Sequence, residues 1–134
     1  MAVKRVLHGE FRDEYSRVRE WLLAALSTQL GGGDEGCLLR DLGSKRYQLC
    51  TSENAACVTE LCEVDGVEVC LLLLVAGKQH DALDEVLGEG QETIEQWAKE
   101  RGCKGLYGIG RPEWRRVLVP HGFKVVSMNY YKEF

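Results

Sequence analysis

The stretch that decides the fold is "ACVTELCEVDGVEVCLLLLVA", residues 56–76. The dipeptide Asp65-Gly66 in its middle is typical of a two-residue type I′ turn, which needs positive φ at both positions. Apolar and β-branched side chains flank the dipeptide, so we predict that residues 56–64 and 67–76 pair as an antiparallel hairpin. The second arm is apolar on both of its faces, as in a central strand that is covered on both sides. The sequence therefore predicts a sheet with helices on both faces.

Hydrophobic periodicity outside the hairpin predicts three helices and four further strands. The helices are expected at 15–30, 82–101 and 112–119, and the strands at 2–8, 46–51, 103–110 and 123–134. Gly102 is expected to cap the second helix, and Pro112 suits the first position of the third, where a missing N–H has no cost. The order β-α-β-β-β-α-β-α-β predicts an α+β fold: a mixed, mainly antiparallel sheet in a single domain over residues 1–134.

Composition limits the classes of function. The chain has 134 residues, 45% of them hydrophobic and 28% charged, which indicates a folded globular domain. A formal net charge of −4 does not favour general nucleic-acid binding. The longest apolar run, "VCLLLLVAG", is much shorter than the roughly 20 residues that span a bilayer. We expect a cytoplasmic protein without a membrane partner.

The six cysteines are interpreted as small buried apolar residues. None of them is spaced as CxxC, and no Cys/His pair has the spacing of a zinc site. We therefore expect no metal.

The order of elements resembles the GNAT superfamily of acyl-CoA-dependent N-acetyltransferases over nearly the whole chain. The likeness is best from residue 67 onward, where an apolar strand leads to "QWAKERGCKGLYGI" and then to "VLVPHGF". The segment "WAKERGCKGLYGIGRPEWRRVL" is also similar to small GNAT-like proteins of tailed bacteriophages. The resemblance implies either transfer of an acetyl group from acetyl-CoA to an amine, or a phage protein that has lost catalysis. The second would bind a phage or host protein, in the host cytoplasm or the virion.

The resemblance also implies where a cofactor would bind. Backbone groups of Leu73, Leu74 and Val75 would bond the pantetheine arm, and Gly88 and Gly90 would let the pyrophosphate approach backbone amides. Family members carry Gln or Arg three residues before the first glycine. Here "EVLGEG" places Glu85 in that position, and Glu89 adds a second acid.

A rival interpretation of the same stretch is structural. Asp81 followed by Asp84 has the pattern of a helix N-cap, and a helix that starts at Ala82 would use the amides of both glycines internally. Gly90 would then be a close-packing residue on the buried face.

Candidate catalytic residues come from the strands. Leu118 stands where many family members have a tyrosine that protonates the leaving thiolate. Tyr107, Tyr130 and Tyr131 are the possible substitutes, and Tyr130 is the predicted one. Glu60, Glu63 and Glu68 on the central hairpin are the candidate general bases, and Glu68 is the predicted one. The alternative for such a glutamate is a solvent-facing strand residue. The acceptor, the oligomeric state and the host are not specified by the sequence.

The glycine-rich corner "LYGIGRPEW", residues 106–114, has two interpretations. It either binds an anion through Arg111 or is a packed strand-to-helix corner that Trp114 anchors. We favour the packed corner, and we keep Arg111 and Trp114 as candidate binding residues.

Overall fold

The computed structural model describes residues 3–78, 82 and 84–134; of Glu89 it describes only the backbone. Over these residues the chain forms five strands and four α-helices. In chain order they are β1 (Lys4–Arg5), α1 (Phe11–Leu26), α2 (Glu35–Gly43), β2 (Tyr47–Thr51), β3 (Ala55–Val64), β4 (Val67–Gly77), α3 (Gln91–Glu100), β5 (Gly105–Gly108) and α4 (Trp114–Leu118). Short 3₁₀ turns, His8–Glu10 and Val119–His121, precede α1 and follow α4.

The strands form one sheet in the order β1-β2-β3-β4-β5. The first three pairings are antiparallel, and β4 pairs with β5 in parallel. Asp65 and Gly66 connect β3 to β4 with φ of 50° and 83°, which confirms the predicted turn. The mixed, mainly antiparallel sheet confirms the predicted fold class.

The core lies on both faces of the sheet. Val18 and Leu22 of α1 are fully buried against one face, together with Leu38 of α2. Ile94 and Trp97 of α3 are buried against the other face. Apolar side chains of β4 pack on both faces of the sheet, which explains why polar and apolar residues do not alternate in its sequence.

Helix α2 was not predicted, since no element was expected between the helix at 15–30 and the strand at 46–51. Asp34 caps the helix: its Oδ1 accepts hydrogen bonds from the backbone N–H of Gly36 at 2.7 Å and of Cys37 at 3.4 Å. Apolar side chains at Leu38 and Leu42 then pack on the sheet. An N-cap aspartate before an apolar pair was the available signal.

The predicted strand over residues 123–134 is wrong. No residue of this segment pairs with a strand in the described part of the chain, and large apolar side chains such as Val126 and Met128 are more than 60% exposed. We call residues 123–134 the C-terminal arm. Strand propensity is realised only against a neighbouring strand, and β5 offers just four residues.

A buried hydroxyl joins α1 to α2. Tyr15 donates from its hydroxyl to Glu35 Oε2 at 2.7 Å, and Arg19 donates to both oxygens of the same carboxylate at 2.7 and 2.9 Å. The bonds from Arg19 and then from Tyr15 lower the pKa of Glu35 to about 2. The carboxylate therefore stays ionised as a fixed partner for both donors.

Tyr15→Phe is expected to lower the free energy of unfolding by about 1 kcal/mol, because the carboxylate loses one donor. The pKa of Glu35 is lowered in the folded state. The contribution of its carboxylate to the free energy of unfolding is therefore complete above pH 4.5 and is lost as the pH falls towards about 2. Urea unfolding at pH 7 and pH 3 measures both effects. Tyr47→Phe is the control, since the Tyr47 hydroxyl has no hydrogen bond to a described residue. An equal loss in the two variants would contradict the assignment.

Candidate functional site

The central feature of the site is a separation of β4 from β5. Their pairing runs from Val69 opposite Gly105 to Leu72 opposite Gly108 and then stops. Strand β4 continues to Gly77, still paired with β3 on its other side. One edge of β4 beyond Leu72 therefore has no strand partner among the described residues, and we call the space along that edge, past the end of β5, the cleft.

A β-bulge lies where the cleft begins. Val58 of β3 is opposite Leu74 and Thr59 is opposite Leu72, so Leu73 is the extra residue on β4. A bulge bends its strand and changes the direction of the following backbone groups. The backbone of Leu73, Leu74 and Val75, predicted to bind the pantetheine arm, thus lies at the unpaired edge.

The segment between β4 and α3 is helical before Gly88. Ala82 is helical, and Asp84–Glu89 forms a π-helical turn that leads into α3. The Gly90 N–H donates to the Glu85 carbonyl at 3.0 Å, the i to i−5 spacing of a π-turn. Asp81, the predicted N-cap, lies outside the described residues.

Gly90 is a close-packing residue. It is buried, and a Cβ at this position would collide with the Val3 side chain and lie 2.5 Å from the Glu85 carbonyl oxygen. This contact agrees with the structural interpretation of the stretch, in which Gly90 is a close-packing residue on the buried face. Its predicted part in cofactor binding stays a prediction.

Gly88 has a more open environment. It is half-buried, and a Cβ built on it would lie 3.5 Å from Nε2 of His121, an ordinary contact distance. The end of α4 therefore approaches the π-turn at Gly88. His121 was not among the candidate site residues, and its position in "VPHGF" was the available signal.

Glu85 does not project its charge at an incoming ligand. Its Oε2 accepts hydrogen bonds from the Ser52 hydroxyl and from the backbone N–H of Asn54 at 2.9 Å, and its Oε1 accepts from the Asn54 side-chain amide at 3.3 Å. Burial raises the pKa of the carboxyl, but the hydrogen bonds from Ser52 and Asn54 outweigh that effect and hold the pKa below its ordinary value. Glu85, which stands where family members carry Gln or Arg, thus stabilises the turn between β2 and β3 through these hydrogen bonds.

The glycine-rich corner after β5 is packed. The Trp114 ring lies directly on Gly110 and would be 3.5 Å from a Cβ on Gly108. Arg111 beside them is exposed and lines a cavity together with Trp114. The favoured interpretation as a packed corner fits these contacts.

The predicted catalytic residues are not brought together at the cleft. Glu68 lies next to the hairpin turn, opposite Glu63, with an exposed side chain. It is five residues from Leu73, or about 16 Å along the strand. Tyr130 is 86% exposed on the C-terminal arm, where its hydroxyl contacts Met128 Sδ at 3.9 Å.

The buried cysteines have raised thiol pKa values. Burial raises the pKa of the Cys50 thiol to about 11 and that of Cys70 to about 12, and it also raises the pKa of Cys57. Such thiols stay protonated at neutral pH and pack as apolar groups. Within residues 3–78, 82 and 84–134, the His, Cys, Asp and Glu side chains form no group of three or more that could hold a metal ion.

No protein-family model matches this sequence, and no curated protein is similar to it in sequence. Solved structures do match. A probable acetyltransferase superposes with a TM-score of 0.69 at 12% identity, covering 100% of this chain and 98% of that one. The aminoglycoside N-acetyltransferase AAC(6')-Iy in complex with CoA superposes with a TM-score of 0.64 at 11% identity, covering 98% of this chain and 93% of that one. Ribosomal-protein-alanine N-acetyltransferase from Brucella melitensis biovar Abortus 2308 gives 0.63 at 14% identity, with 98% and 99% covered.

The fold of this chain is therefore that of the GNAT acetyltransferases. No helix in the described ranges combines the length and the hydropathy of a membrane span.

Proposed function

We propose that the chain is an acetyl-CoA-dependent N-acetyltransferase that works in the cytoplasm. The observation that carries the proposal is the unpaired edge of β4 beyond Leu72, opened by the bulge at Leu73. Backbone N–H and C=O groups along such an edge can bind an extended chain of amides in the way that they would bind another strand. The pantetheine arm of CoA is a chain of this kind.

Bound acetyl-CoA would supply a thioester carbonyl as the electrophile. The backbone amides at Leu73 to Val75 are proposed to orient that carbonyl and to donate to its oxygen, which helps most when negative charge develops there. The acceptor amine forms the new C–N bond as the C–S bond breaks, and the proton that the amine loses goes to the departing thiolate. Glu68 and Tyr130 stay the predicted catalytic residues of the family resemblance.

Gly88 is proposed to be the point where the diphosphate of the cofactor passes between the π-turn and the end of α4. The absence of a side chain there leaves space about the width of a methyl group beside His121 Nε2. Glu85 does not oppose this path, because its carboxylate is held by Ser52 and Asn54.

Gly88→Ala is expected to fold normally and to weaken acetyl-CoA binding about tenfold or more. The added methyl group meets His121 Nε2 at an ordinary distance of 3.5 Å, so the unliganded protein tolerates it, but it narrows the gap that the ligand needs. The rise in melting temperature with acetyl-CoA measures the binding. Gly43→Ala is the control, since nothing lies within 4 Å of a Cβ there.

An unchanged ligand-induced rise in the Gly88→Ala variant would contradict the assignment of Gly88. No rise in the unmodified chain at millimolar acetyl-CoA would contradict the proposed function itself.

A second candidate is a GNAT-fold phage protein without catalysis, acting as a virion-associated or binding component. It is favoured by Leu118, which packs against the core in the position where the tyrosine is expected. The same titration separates the two candidates, because only the enzyme gains stability from the thioester.

A further inference from the structure

A cavity of about 910 Å³ lies beside the cleft. It is bounded by α3, β5, the corner 109–112, α4 and the start of the C-terminal arm. Gly108 is the last residue of β5 that pairs with β4, and it also lines this cavity. The cavity therefore extends along β5 as far as the point where its pairing with β4 ends.

The charges around this cavity are of one sign. Among the described residues, its lining includes the five cationic residues Lys99, Lys104, Arg111, Arg115 and Lys124 and one acid, Glu95. The whole chain has the opposite balance, with 17 Lys and Arg against 21 Asp and Glu. A concave surface lined by one sign of charge concentrates ligands of the other sign.

Four of these cations have no ion-pair partner within the described ranges. Lys99 pairs with Glu95 at 3.0 Å, which cancels both charges locally. Lys104, Arg111, Arg115 and Lys124 form no ion pair with any residue that the structure describes. By contrast, Arg17, Arg19 and Arg46 on the opposite part of the fold each bind a carboxylate. The cavity thus combines free cations with apolar walls from Trp114 and Leu118.

We infer that the cavity binds the acyl acceptor and that the acceptor is an amine carrying negative charge. The inference rests on the proposed function, since it places an amine beside the thioester. Guanidinium and ammonium groups bind a carboxylate or phosphate on the acceptor and hold its amine at the mouth of the cleft. A polycationic amine is disfavoured by the same four charges.

The test uses three C-terminally amidated tripeptides that share one free α-amine: Ala-Glu-Glu, Ala-Gln-Gln and Ala-Arg-Arg. Binding to the full chain is followed by amide chemical shifts of residues 105–110 in an NMR titration. We expect the acidic peptide to bind about tenfold more tightly than the basic one, as two or three surface charge pairs allow. Arg115→Glu is expected to remove this preference. Arg116→Glu is the control, because Arg116 is on the same helix and exposed but does not line the cavity.

Equal affinities, a preference for the basic peptide, or no shifts at residues 105–110 would overturn the inference. Displacement of Ala-Glu-Glu by acetyl-CoA would also overturn it, because the cations would then belong to the phosphates of the cofactor. The proposed function fails separately, if acetyl-CoA gives no rise in melting temperature.

Discussion

Glu85→Ala is expected to lower the free energy of unfolding by about 3 kcal/mol, a large effect for a side chain that is only half-buried. The carboxylate accepts from the buried Ser52 hydroxyl and from two donors of Asn54, and alanine removes this acceptor from all of them. Chemical denaturation at pH 7 measures the loss. Glu92→Ala, at an exposed position in the first turn of α3, is the control and is expected to change stability by less than about 0.5 kcal/mol.

The same variant has a defined pH dependence. Because the pKa of Glu85 is lowered in the folded state, its stabilising contribution is present above the ordinary carboxyl pKa and is lost as the pH falls through the folded-state pKa. The difference in stability between Glu85→Ala and the unmodified chain should therefore shrink in acid. A difference that stays constant from pH 7 to pH 3 would show that the charge of Glu85 is not what holds the turn.

Gly90→Ala is expected to destabilise the chain by about 2 kcal/mol, although alanine is normally the better helix residue. A Cβ there collides with Val3 of the N-terminal segment and crowds the Glu85 carbonyl, so the π-turn or the start of the chain must move. Thermal unfolding should show a fall of about 8 °C. Gly43→Ala in α2 tests the reasoning, because it has open space and should be neutral or slightly stabilising.

A loss of the same size in Gly43→Ala would show that the contact with Val3 is not what lowers the stability of Gly90→Ala. Normal stability in Gly90→Ala would contradict the close packing of the π-turn against the start of the chain.

Local patterns predicted the centre of the fold well. Asp65-Gly66 specified the hairpin because few dipeptides adopt positive φ at both positions, and the continuous apolar run of β4 specified burial on both faces. The predicted cap at Gly102 was also right: this residue follows α3 with φ of 84°. In each of these cases, residues that are close in sequence determine the structure.

Features that depend on distant contacts were not predicted. The C-terminal arm has strand-forming residues such as Val125 and Val126, but whether they pair depends on the free edge of β5. The π-turn makes two contacts with distant parts of the chain: Gly90 packs closely against Val3, and Glu85 forms hydrogen bonds with the β2–β3 turn. Neither partner is near Glu85 or Gly90 in sequence.

Less of the candidate site could be predicted from the sequence, for the same reason. The assignment of the backbone of Leu73 to Val75 came from the family resemblance and stays a prediction, whereas the bulge beside it depends on register with β3. The cavity of unpaired cations collects Lys104, Arg111 and Lys124 from three different segments, so their joint effect was not visible in the sequence.

The most direct test of the account is a titration of the ¹⁵N-labelled chain with acetyl-CoA, followed by backbone amide chemical shifts. We expect the largest changes at Leu73, Leu74 and Val75, where one edge of β4 has no strand partner among the described residues, and smaller changes at Gly88. Unchanged amides at these positions with millimolar acetyl-CoA would contradict the claim that this edge binds a thioester.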